Sequence, residues 1–144
     1  MVKLQNNLDQ QYDLIKQPTI DHEEYYSLDS QFHGLCMRSV NKQKLWALIQ
    51  QMDVHYSRYR LLDYKAAQND NVFETLFDEH TELLQLMKDG KISELRKAIP
   101  LHLYGGFARI HNRLATDYTN YFVNEGKDIN DILLQIKLVL NETR

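Results

Sequence analysis

The sequence predicts an all-α protein, an antiparallel bundle of about six helices. Three observations carry this. Only five Gly and two Pro occur in 144 residues, too few for the turns of a sandwich or barrel. Apolar residues recur three and four apart along most of the chain, with no alternating strand pattern against them. The breaks between these stretches are short, which sets successive helices antiparallel. With 43% apolar and 26% charged residues, the chain fits one domain, 1–144, with a core of its own.

The first helix covers about 2–16 and stops at "KQPTID". Asp21 is the expected N-cap of the second, 22–39, with Glu24 three residues on to complete a capping box. Asn41 is read as the cap of a third, 42–65, which carries Leu45, Ile49, Met52, Tyr56 and Tyr59 at helical spacing. "AAQNDN" reads as a loop. Asp70 is a candidate cap for a fourth helix, 71–88, and Gly90 a C′ residue after it. The fifth starts near Ile92 and is expected to run to about 123, kinked near Pro100. Beyond "NEGKD" an extra C-terminal helix, 128–142, places Ile129, Leu133, Ile136 and Leu140 on one face.

Several function classes fall away on composition. The opening "MVKLQNNLDQQYDLIK" has no apolar h-region, so it is not a signal peptide. No run approaches a membrane span. A single cysteine, Cys36, excludes an internal disulfide and suits a reducing compartment, so a cytoplasmic location is expected. Net charge is −3 with no basic block, which argues against this chain gripping nucleic acid by itself.

The chemistry lies in polar residues on core stripes. Tyr26, Asp29, His33, Cys36 and Val40 form one helical line, next to Tyr25, Leu28, Phe32 and Leu35. Burying a lone carboxylate is costly unless it is paired or ligates a metal. A simple Asp–His hydrogen bond would satisfy this pair alone. Two further helices repeat the feature. His80 sits at the centre of Phe73, Phe77, Leu84 and Met87, and His102 shares a face with Leu95 and Ile99, flanked by small Ala98 and Gly105. Three imidazoles and a carboxylate aimed inward make a candidate site for a divalent transition metal: Zn²⁺ or Ni²⁺ first, Mn²⁺ or Fe²⁺ also compatible. With Asp29 ionised the loaded site carries about +1, which favours a small carboxylate. His22, His55 and His111 fall at helix starts or stripe borders and read as edge residues.

At this point the sequence resembles a known family. "LDSQFHGLCMRSVNKQKLWALIQQM" is similar to the D-x-x-F-H-x-x-L segment of the FCD domain. "DEHTELLQLMKDGKISELRKAIPLHL" is similar to its E-H…G-D…H-L stretch. FCD is the all-helical effector-binding domain of the FadR subfamily of GntR bacterial transcription regulators. The resemblance spans roughly 5–115. It implies that Asp29, His33, His80 and His102 are metal ligands lining a cavity, and that the effector is a small organic acid. Asn41, Arg58 and Arg60 lie in stretches resembling the cavity's neighbourhood. Arg58 and Asn41 are the candidate effector contacts, against the plainer reading of solvated helix residues. The family also implies a homodimer, and DNA contact only through a winged helix-turn-helix domain for which this chain has no counterpart. The usual first FCD helix is expected to be missing as well. The 128–142 helix then needs cover, from the place left by that helix or from a partner chain. Lys91 replaces the acid that usually follows the glycine.

Three functions compete at this level. The first is a metal- and acid-binding sensor in a transcription regulator. The second is a metal-dependent enzyme. A di-iron bundle requires E-x-x-H pairs, but Thr19, Ser30, Met52, Phe77, Ile99 and Ala108 stand three before the histidines. Glu79 adjoins His80 but points about 100° away around the helix. The third is a metal-free interaction module with structural histidines.

Overall fold

The computed structural model describes residues 1–52, 57–58, 60–62, 71–116, 131 and 134, with 107–116 as backbone only. All regular structure among these residues is helical: α1 (Val2–Ile15), α2 (His22–Ser39), α3 (Gln43–Gln51), α4 (Val72–Lys88) and α5 (Ile92–Thr116). Ser57, Arg58 and residues 60–62 are also helical, as are Asp131 and Leu134. The fold is an all-α bundle. α1 packs on α2 and α4, α4 on α5, and α3 on α2.

Local chemistry explains most of the ends. The Asp21 carboxylate accepts from the backbone N–H groups of Glu23 and Glu24 at 2.9 and 3.1 Å, capping α2 as expected. α4 closes with Gly90 at φ +65°. Lys91 N–H reaches Leu86 C=O at 3.0 Å and Gly90 N–H reaches Met87 C=O at 3.4 Å, a Schellman motif. α2 ends the same way, with Asn41 in the left-handed position at φ 58°. There Lys42 N–H bonds Met37 C=O at 2.8 Å and Asn41 N–H bonds Arg38 C=O at 3.1 Å. Asn41 therefore terminates α2. The expected cap of α3 is corrected to Lys42, which makes no side-chain capping bond.

The third helix is also shorter than its stripe predicts. α3 stops at Gln51, and Met52 caps it with a tight turn onto Ile49 C=O at 3.0 Å. No Gly or Pro marks this end. None of its residues is buried; it touches the bundle chiefly where Trp46 covers Gly34. A Cβ on Gly34 would stand 2.8 Å from the indole nitrogen, so only glycine permits this approach. α5 runs through Pro100 without ending, although the ring removes the N–H that would bond Arg96 C=O. Asp70, and all of 128–142 except positions 131 and 134, lie outside the described residues.

Two apolar clusters form the core. One gathers Leu14, Ile15, Tyr25, Leu28, Val72 and Phe73; the other gathers Leu4, Leu8, Phe32 and Leu84. Phe77 packs against both. On α1, α2 and α4 alike, buried polar residues fall between them: Asn7 and Gln11, Asp29, and His80. The bundle thus carries a polar layer through its middle.

Candidate metal centre and its cavity

α2 presents Asp29 and His33 one turn apart, α4 presents His80, and α5 presents His102. Their side chains converge. Asp29 Oδ1 lies 3.5 Å from His80 Nε2 and 3.8 Å from His33 Nε2, and His33 Nε2 lies 3.2 Å from His102 Nε2. The three imidazoles each offer a ligand atom within 4.8 Å of the others. Donors about 2.1 Å from one ion stand roughly 3.0–3.4 Å apart in cis-octahedral or tetrahedral sets. The 3.2 Å His33–His102 and 3.5 Å Asp29–His80 separations are close to that, while the group whose ligand atoms all lie within 4.8 Å of one another is the three imidazoles without Asp29.

The proton positions follow from a chain of hydrogen bonds with a fixed direction. Leu28 C=O can only accept, and it accepts from Asn7 Nδ2 at 3.1 Å. Asn7 Oδ1 therefore faces Gln11 Nε2, at 2.7 Å. That turns Gln11 Oε1 toward His80 Nδ1, at 3.0 Å. An amide oxygen accepts, so Nδ1 carries the hydrogen and His80 Nε2 bears a lone pair. This nitrogen is fully buried and has no hydrogen-bond partner. Its 3.5 Å neighbour is a carboxylate oxygen, so two acceptors confront each other with no proton between them. Such an arrangement calls for a cation.

Glu79 does for His102 what Gln11 does for His80. Its Oε2 lies 2.7 Å from His102 Nδ1, which leaves His102 Nε2 for the shared space. Arg60 orients Asp29, donating from Nη2 to Oδ2 at 2.7 Å while Oδ1 faces the imidazoles. The rings are held by stacking: His80 on Phe32 with centroids 4.3 Å apart, and His33 on His102 at 5.2 Å. Burial pushes the His80 imidazole well below its ordinary pKa, helped by His33, His102 and Arg60. Burial also lowers His33, more than Asp29 raises it. Both favour the neutral form that ligates metal.

Beside the imidazoles opens a cavity of about 500 Å³, with Phe32, His33, Trp46, Arg60, Leu83 and His102 among its walls. Of the two candidate effector contacts, neither lines it. Arg58 is exposed on its helix, and Asn41 is an exposed turn residue. The basic residue in the wall is Arg60, buried and ion-paired with Asp29. His22 is partly exposed at the start of α2, while His55 lies outside the described residues and the side chain of His111 is not described.

The FCD domain family matches this chain over residues 2–105. The chain belongs to the FCD family. No curated protein and no solved structure matches it. An FCD domain is the effector-binding domain of a GntR-family regulator, a class associated with dimerisation. No helix among the described residues is long and apolar enough to cross a membrane.

Sequence reasoning missed Asn7 and Gln11, and it named Glu79 and Arg60 without their partners, His102 and Asp29. A signal existed for two of them. Asn7 and Gln11 are one turn apart, among Leu4, Leu8, Leu14 and Ile15 on the buried face of α1. Two amides at such positions must find partners.

Proposed function

We propose that this FCD domain binds one divalent transition metal ion through Asp29, His33, His80 and His102 and senses a small organic acid beside it. The observation that carries the reading is His80 Nε2: buried, unpartnered, its lone pair fixed by Gln11 and facing Asp29. Neutral imidazoles with one carboxylate suit Zn²⁺ or Ni²⁺, with Mn²⁺ and Fe²⁺ within range. The ion would supply a fixed positive centre to which a carboxylate is drawn. Arg60 and Glu79 offset one another, so a dication with ionised Asp29 leaves the cluster one net positive charge.

The chain's own residues do the rest. Gln11 and Glu79 set the tautomers, Arg60 holds Asp29, and the stacked Phe32 excludes water from His80. In a cytoplasmic homodimeric regulator, an acid bound in the cavity would favour one packing of α3 and α5 over another. Through a winged helix-turn-helix domain, that shift would alter the spacing of two DNA-binding heads. This is population shift by differential affinity. A hydrolytic reading is disfavoured because Glu79, a described carboxylate beside the cluster and outside the candidate ligand set, is committed to His102.

Elemental mass spectrometry of the untagged protein tests the metal. About one equivalent in the parent and little in His80→Ala is the expected result. No metal in either, after reconstitution with Zn²⁺ or Ni²⁺ and dialysis, would overturn the proposal and leave a helical domain with structural histidines.

A further inference from the structure

The cavity wall says which kind of acid fits. Among its described residues, the titratable nitrogen groups are gathered in one place. His102 touches His33, His33 approaches Asp29, and Asp29 holds Arg60, so the imidazoles and the guanidinium of the wall form one connected cluster. Among the described residues, the wall outside that cluster is Phe32, Met37, Leu83, Met87, Leu95 and other apolar side chains, with Gln50 the sole amide and neither a lysine nor a second arginine. Three of the apolar residues, Ile49, Ile99 and Leu103, remain 43–48% exposed, which large aliphatic side chains bordering a cavity do when nothing covers them.

We infer that the effector is a monocarboxylate with a sizeable apolar body, an alkanoate or aryl-alkanoate of roughly six to ten carbons for a cavity of this size. The inference rests on the metal-and-acid reading above and narrows it. One carboxylate has one place to go, at the cluster. The second carboxylate of a diacid would lie against Leu, Met and Ile with no cation among the described residues to meet it, which is costly. Among the described wall residues outside the cluster, the hydroxyls of a sugar acid would find little beyond Gln50 and the Trp46 indole, and most would go unsatisfied. A two-carbon acid would leave most of the apolar wall wet, since one water takes only about 30 Å³.

The test is titration calorimetry of the Zn²⁺-loaded protein with acetate, butanoate, hexanoate and octanoate, set against adipate and gluconate. Affinity is expected to rise about fourfold per methylene from butanoate to octanoate, with hexanoate binding at least tenfold tighter than adipate or gluconate. Ile99→Asn should weaken octanoate severalfold, leave acetate unchanged, and retain the parent's Zn²⁺ content. If all the acids bind alike, or adipate or gluconate binds tightest, this ligand class is wrong while the metal-and-acid reading stands. If no acid binds a protein that holds one Zn²⁺, the acid-sensing reading falls and this inference falls with it.

Discussion

On the side of α1, α2 and α4 the site is walled by Tyr25, Phe32, Leu84, His80 and Gln11, none with more than 1% of its surface exposed. On the side of α3 and α5, Ile49, Ile99 and Leu103 keep 43–48% exposed. The first wall is a finished core. Its hydrogen bonds run in one direction from Leu28 C=O to His80, and its rings interlock. The second wall has a cavity where the first has packing. It contributes one imidazole, His102, held by the part-exposed Glu79. The difference separates two tasks. A metal ligand needs a rotamer and a tautomer that do not change. A sensor needs an element with two arrangements of similar energy. Here three of the four candidate ligands, Asp29, His33 and His80, stand on the packed wall, and one, His102, stands on the open one.

Truncation on the two walls should differ most. Phe32→Ala removes a fully buried ring stacked on His80 and should cost about 3–5 kcal/mol in urea unfolding of the metal-free protein. Ile49→Ala on α3 should cost less than about 0.5 kcal/mol. Equal losses would show that α3 is as much a part of the core as α2.

Next in size is the hydrogen-bond chain behind His80. Gln11→Leu keeps the bulk but removes the acceptor for Nδ1–H, freeing the ring to choose its tautomer. Zn²⁺ affinity, read by competition with a chromophoric chelator, should fall about 10–100-fold. Glu79→Gln retains an acceptor for His102, and should lose less. The reverse ranking would place the rigid half of the site on α5.

How much of this was legible from sequence depends on whether the relation is local. Asp29 and His33 are one turn apart, and His80 and His102 stand among apolar residues at helical spacing, so each could be singled out from its own helix. Partners across helices carry no such spacing. Glu79 sits about 100° around α4 from His80 and serves a histidine on the next helix. Arg58 and Arg60 are two residues apart, so about 200° of helix separates them, and only the packing decides which one meets Asp29. Asn41 was visible as a helix boundary, but its left-handed backbone closes the helix before it. α3 ends without a Gly or Pro, which is why its stripe read as part of a longer helix.

Gly34→Ala probes the contact between α2 and the open wall. The new Cβ would meet Trp46 Nε1 at 2.8 Å. Overpacking of a tight core costs about 1–3 kcal/mol. Because α3 is otherwise unburied, it can swing aside, and a loss near 1 kcal/mol is expected. Trp46 is the sole tryptophan, so its emission should shift to the red. An unshifted spectrum with a large stability loss would mean that α2, not α3, had yielded.

The smallest effect concerns the seam. Cys36 packs against the closed cluster around Phe32 yet also lines the cavity, so its reactivity reports which wall it obeys. Burial pushes its thiol from an ordinary 9.0 up to about 11. The raised value means that folding favours the neutral thiol, and the preference is lost only as pH climbs through 9 toward 11. At neutral pH the thiolate, which is the reactive form, should be scarcer than in a free cysteine by about 100-fold. Alkylation by iodoacetamide at pH 7.5 should slow by a similar factor. Stability cost is not at issue, since Cys36→Ala would remove little more than a half-buried sulfur. A rate near that of free cysteine would mean that the seam opens readily and that Cys36 belongs to the open wall. A slow rate that quickens only when Gly34→Ala has displaced Trp46 would place the boundary between the two walls at the contact of Trp46 with α2.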